Sequence, residues 1–281
     1  MNIKIYKLNE VLFMRIIKLY VVPLILLSVL FIQCSTVPIT GRKQLNLIPA
    51  SQMQSLSYQQ YGDFLKTNKI STNQSATLLV HTVGVRIQHA VEQYMAQNNM
   101  SSSLSGYNWE FNLVEDPQVN AWCMPGGKVV VYTGILPITQ DETGLAVVLG
   151  HEIAHAIAQH GDERMSQGLI TQLGGMALQE AISTKPAVTQ QIFMTAFGLG
   201  TQVGITLPFS RMQESEADHL GLIFMAMAGY DPNLAVPFWQ RMSTMNTGQK
   251  PPEFLSDHPA DATRVAAIQN ELPEALKYYK K

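Results

Sequence analysis

The stretch Thr139–Gly161, TQDETGLAVVLGHEIAHAIAQHG, decides how the rest of the chain is read. Thr139 and Glu142 have the spacing of a capping box, and Gly161 stands where a glycine would end a helix. Between them Leu145, Val147, Val148, Leu149, Ile153, Ala154, Ala156 and Ile157 leave no polar stripe. A helix apolar on all sides is a buried one. The polar residues inside that run are His151, Glu152 and His155. Burying three ionisable groups is costly unless they have partners.

Their spacing suggests the partner. His151 and His155 are one turn apart on the same face, so both imidazoles can reach one zinc ion at about 2.0–2.1 Å. Glu152 points about 100° away around the helix, placed to act as a general base beside the metal without binding it. This is the H-E-x-x-H pattern, and it predicts one Zn²⁺ per chain. The competing reading is a buried helix whose histidines bond to backbone or water.

Composition allows such a site. The 281 residues are 46% hydrophobic and 14% charged, with a net charge of −2. That supports a sizeable core and argues against disorder or nucleic-acid binding. Two cysteines, Cys34 and Cys123, are too few for a disulfide framework.

The N-terminus reads as a targeting segment. Lys4, Lys7, Arg15 and Lys18 precede the apolar run Leu19–Ile32, which has the length of a signal-peptide core rather than a membrane span. The following Cys34 looks like a lipoprotein acylation site, although Gln33 stands where a small residue is usual. A retained membrane anchor and another cleavage site are the alternatives. Met14 would start a more ordinary signal peptide than Met1. The expected organisation is a signal peptide over 1–33, a lipidated Cys34 with an extended tether over 34–49, and one domain over 50–281. Within that domain 166–208 is expected to form a helical lid.

Helices are predicted over 50–66 and 73–97, with His81 and His89 as ordinary structural histidines. Strands are expected over 109–114, 120–122 and 128–133, with a turn at Met124-Pro125-Gly126-Gly127. Asn120, Ala121 and Trp122 can offer an edge to which a substrate backbone adds, or simply pack a hairpin. Further helices are expected over 209–228, 233–245, 259–269 and 273–279.

A catalytic zinc needs a third protein ligand and keeps one position open. Glu214 and Asp218 share a helix face, so Glu214 can bind the metal while Asp218 fixes the far nitrogen of a ligand histidine. Glu216 projects elsewhere, toward a surface ion pair. His160 and His219 have the wrong offsets to join the metal and read as structural, or at most as contacts behind its ligands.

HEIAH followed 59 residues after His155 by Glu214-x-x-Ala217-Asp218 resembles the gluzincin peptidases. More narrowly it resembles the HtpX-like and CAAX-prenyl-endopeptidase family. Asn120-Ala121 before Pro125-Gly126-Gly127, Ser210-Arg211, and His258-Pro259 with Arg264 add to the likeness. Trp122-Cys123 depart from the plainer residues expected after Asn-Ala. The resemblance implies an α+β, mostly helical zincin fold with a small sheet beside the H-E-x-x-H helix. It implies a zinc metalloendopeptidase from a soluble periplasmic lipoprotein branch, acting on misfolded or unassembled envelope polypeptides. The setting it implies is a bacterial cell envelope, lipid-anchored at the outer membrane and facing the periplasm. An assembly factor for outer-membrane proteins with a secondary peptidase site is the alternative. The same resemblance places His258 over the cleft, where it donates to the oxyanion or blocks the zinc, unless it merely caps the next helix. Arg264 would steady that loop, contact substrate, or form a structural ion pair.

Overall fold

A computed structural model describes residues 34–199, 210–245 and 252–280. The expected signal peptide over 1–33 and the end of the expected lid lie outside these residues. The mostly helical α+β fold is as expected.

The chain opens with a short antiparallel hairpin, β1 (Cys34–Thr36) and β2 (Lys43–Leu45), in which Cys34 pairs with Leu45. Two helices follow, α1 (Ala50–Thr67) and α2 (Gln74–Gln97), the latter capped by the Asn73 side chain. A three-stranded sheet comes next: β3 (Glu110–Val114), β4 (Ala121–Met124) and β5 (Lys128–Tyr132). β5 is central, parallel to β3 and antiparallel to β4, so β4 is an edge strand.

Strand alternation sends the side chains of this sheet into two cores. Phe111, Leu113, Ala121, Cys123, Val129 and Val131 face one core, and Val114, Trp122, Met124, Val130 and Tyr132 face the other. The short α3 (Leu136–Thr139) leads into α4 (Glu142–Ile157), the H-E-x-x-H helix. It packs in the first core with α2 and with α8 (Arg211–Met227). The helices α5 (His160–Leu173), α6 (Leu178–Thr184) and α7 (Pro186–Ala196) build the second core with α1. The described part of the expected lid is thus a packed layer, with Phe193 and Ala196 buried in it. The chain closes with α9 (Ala235–Thr244), the short α10 (Glu253–Asp257) and α11 (Ala262–Ala275). The last is one helix through Pro273, where the sequence predicts a break. No helix among the described residues is long and apolar enough to cross a membrane.

Both expected ends of the central helix are corrected. Thr139 closes α3, Gln140 turns with φ +67°, and Asp141 caps α4 by accepting from the Gly144 N–H at 2.8 Å. At the other end Gln159, with φ +59°, makes the left-handed turn, and Gly161 lies inside α5.

Candidate metal centre

Two helices carry the site, and two glycines let them meet. A side chain on Gly150 would lie 2.8 Å from the Gly221 carbonyl oxygen, and one on Gly221 would lie 2.9 Å from the His151 backbone nitrogen. The backbones of α4 and α8 therefore touch beside His151. That crossing brings Glu214 and Asp218 of α8 against the histidines of α4.

His151, His155, Glu214 and His258 each offer one donor atom within a 4.8 Å cluster, and all four are buried. His151 Nε2 lies 3.0 Å from His155 Nε2, and Glu214 Oε1 lies 3.2 Å from His155 Nε2. His258 Nδ1 lies 3.1 Å from His151 Nε2 and 2.9 Å from Glu214 Oε1. His258 thus stands among the donors, beyond the three ligands read from the sequence. Its ring packs at a tilt against Phe254 of α10, whose N–H donates to the Val119 carbonyl just before β4.

The far ring nitrogens are also engaged. His151 Nδ1 is 2.9 Å from Asp218 Oδ1. Asp218 is gripped by Arg264, with Nε 2.8 Å from Oδ2 and one terminal nitrogen 2.9 Å from Oδ1. The other terminal nitrogen of Arg264 lies 2.7 Å from Glu214 Oε2, and its guanidinium stacks 3.7 Å over Trp239. Arg264 is buried, turned toward the two carboxylates. His155 Nδ1 is 2.8 Å from His160 Nδ1.

This donor set fits a dication. The Asp218 contact makes His151 Nδ1 the protonated nitrogen, and the His160 contact allows the same for His155. Their Nε2 lone pairs then face each other at 3.0 Å. Such an arrangement repels unless a cation lies between them, and tetrahedral zinc ligands sit about 3.3 Å apart at ordinary bond lengths. Electrostatics agree. Burial pushes the His151 and His155 imidazoles down, keeping their lone pairs available. Burial pushes Glu214 up, but His258 and Arg264 outweigh it and hold the carboxyl well below its usual range.

Glu152 faces the same space. Its Oε1 has no hydrogen-bond partner and lies 3.5 Å from His258 Nε2. Burial pushes its carboxyl up to about 7, in the range that suits a general base at neutral pH. Asn120 is buried at the start of β4 and accepts from the Ala121 N–H at 2.9 Å; Ala121 and Trp122 are buried in opposite cores.

The contacts that three residues make behind the site escaped the sequence reading. Glu216 is buried and accepts from His160 Nε2 at 2.9 Å, where a surface ion pair was expected. His160 stays outside the four-donor cluster, as expected, and returns to the back of His155 because Gln159 breaks the helix. Arg42, from the opening hairpin, lies 2.7 Å from Glu216.

The family model for peptidase family M48 matches residues 84–272, which hold every residue of the cluster. The chain belongs to peptidase family M48. This is a family of zinc metallopeptidases, so the metal that fits the donors is the family's own. Relatives in this family agree. The Mitochondrial metalloendopeptidase OMA1 of Schizosaccharomyces pombe is 40% identical over 176 residues, 62% of this chain and 50% of that protein. The human Metalloendopeptidase OMA1, mitochondrial, is 32% identical over 248 residues, 85% of this chain and 46% of that protein. The Beta-barrel assembly-enhancing protease of Yersinia pestis is 31% identical over 166 residues, 58% of this chain and 34% of that protein. The chain spans about half the length of the first two.

Two expectations change. The expected zinc metallopeptidase stands, now as a member of M48, while the narrower HtpX-like and CAAX-type lipoprotein branch gives way to likeness with the OMA1 proteins. The placement at a bacterial cell envelope is overturned, because the OMA1 relatives, at 30–40% identity, are mitochondrial by name. The reason is physical: an apolar run behind basic residues is a general membrane-targeting pattern and specifies no compartment.

Proposed function

We propose that this chain is a zinc-dependent endopeptidase that cuts extended segments of misfolded or unassembled proteins. One observation carries the reading. Two imidazoles and a carboxylate converge in a buried pocket, beside a glutamate whose carboxyl is free to take a proton. His151, His155 and Glu214 are the zinc ligands. Zinc held there supplies a Lewis acid that polarises the scissile carbonyl and eases ionisation of water.

The chain's own residues do the rest. Asp218 and His160 fix the ligand rings, and Arg264 fixes Asp218 and Glu214 together. Glu152 takes a proton from the attacking water at its carboxylate and passes it to the leaving amine. β4 presents its outer edge to a peptide that adds as a strand. Edge addition needs an extended backbone, so the preferred substrates are locally unfolded polypeptides. His258 has a second role beside the three ligands. As found, it stands among the donors, where it would take the position that a catalytic zinc keeps open, and we read this as a closed conformation.

Casein digestion by the zinc-loaded chain and by Glu152→Gln tests the reading. The native chain is expected to degrade casein, and the variant to lose at least about a hundredfold in rate. Equal rates would refute the assignment of Glu152. A second reading draws on the Yersinia relative, whose name speaks of β-barrel assembly. It makes the chain an assembly factor with a secondary peptidase site. A native chain that binds zinc, cuts no unfolded substrate and still promotes folding of a β-barrel would favour it.

A further inference from the structure

The opening hairpin reaches the metal centre through buried side chains. Thr40 and Arg42 lie in the connection between β1 and β2. Arg42 Nε is 2.7 Å from Glu216 Oε2, and a terminal nitrogen is 3.0 Å from Glu163 Oε2. The Thr40 hydroxyl donates to the other oxygen of Glu216. The Arg42 and Glu216 side chains are 13% and 6% exposed, so the pair is largely shielded from water.

From Glu216 the contacts run inward. His160 Nε2 is 2.9 Å from Glu216 Oε2, and His160 Nδ1 is 2.8 Å from His155 Nδ1. One assignment of protons satisfies the whole series. His155 keeps its Nε2 lone pair for the metal, so its Nδ1–H donates to His160 Nδ1. His160 then carries its proton on Nε2 and donates to Glu216. Glu216 accepts from His160, Thr40 and Arg42, which suits an ionised carboxylate; these contacts outweigh burial and lower it to about 2. Each group in the series has one role available to it, so displacing the outer partner loosens the inner ones.

We propose that Arg42 is a positioning residue for the metal centre: through Glu216 and His160 it fixes the ring of His155, so zinc affinity depends on the docked N-terminal hairpin. This rests on the reading of His155 as a zinc ligand. A buried ion pair adds little net stability of its own. The consequence of the Arg42–Glu216 pair therefore falls on geometry. Outer partners of ligand histidines are worth roughly 10–100-fold in metal affinity.

The test measures the zinc dissociation constant of the purified chain by competition with a chromophoric chelator. Each variant is checked for folding by circular dichroism, and the visible spectrum of the cobalt-substituted chain serves as a second readout. Arg42→Ala and Glu216→Gln are each expected to weaken zinc binding about tenfold or more and to shift the cobalt bands. The double variant is expected to weaken it hardly further than either single one, because the residues act in series. Lys43→Ala, on the same hairpin but exposed, leaves the constant unchanged. If Arg42→Ala does not fold, Glu216→Gln decides. Unchanged zinc affinity in folded Glu216→Gln or Arg42→Ala, with at most a lower melting temperature, overturns the proposal. His155→Ala separates this from failure of the site itself: if it binds zinc as tightly as the native chain, His155 is no ligand.

Discussion

At the scale of single residues, the centre depends on which nitrogen or oxygen is free. His151 and His155 each have one ring nitrogen engaged by a neighbour and the other turned toward the cluster. Removing one ligand should therefore release the metal, whereas removing the base should not. His155→Ala is expected to lose stoichiometric zinc, and Glu152→Gln to retain it, as read by metal analysis of dialysed protein. His258 gives a prediction of direction. If it holds the site closed, His258→Ala raises the rate of casein cleavage several-fold, whereas an oxyanion donor would lower it on removal, by about a hundredfold or more. Asp162 gives a pH prediction away from the metal. It is buried on α5, and desolvation raises its carboxyl to about 7 from an ordinary 3.8. The folded state then holds a proton that the unfolded chain releases near pH 4. Stability from this group is fully present below about pH 4 and falls as pH rises to about 7. Asp162→Asn removes that loss. Its melting temperature should gain on the native chain progressively between pH 4 and 7, and no further above. A constant offset across that range would contradict the assignment.

At the scale of elements, the site is a crossing of two helices more than a property of one. The sequence shows α4 plainly because its apolar periphery and its H-E-x-x-H spacing lie within 16 residues. It shows α8 as carrier of Glu214 and Asp218 because their spacing shares one face. It does not show how closely the two approach, since Gly150 and Gly221 act through the absence of a side chain. Gly221→Ala must push its methyl into the backbone at His151. It is expected to destabilise the fold by about 1–3 kcal/mol, as overpacking does, and to weaken zinc binding in the fraction that folds. Thermal unfolding with and without zinc checks both, and an unchanged zinc-dependent gain in melting temperature would argue against coupling. Helix ends were the least legible feature. Asp141 competes with Thr139 for the cap, and Gln159 adopts a left-handed turn that glycine more often supplies. That one turn is what brings His160 into contact with His155.

At the scale of the whole molecule, the sheet divides two cores and the site belongs to one of them. The fold class could be read from local patterns, as could three of the four donors that the fold brings together. The second core could not, because from residue 166 onward α5, α6 and α7 form a nearly uncharged stretch whose partners lie far away in sequence. Likewise nothing local announces that Arg42 meets Glu216, 174 residues later. Metal bound to the folded chain alone stabilises the whole by linkage. Stripping it with a chelator should lower the melting temperature and abolish casein cleavage, both restored by zinc. A zinc-edge anomalous difference map from crystals of the zinc-loaded chain tests the central claim most directly. The account predicts one strong peak per chain, bonded to His151 Nε2, His155 Nε2 and Glu214. A chain whose zinc lies elsewhere, or whose cluster gives no peak in crystals that hold zinc, would contradict it.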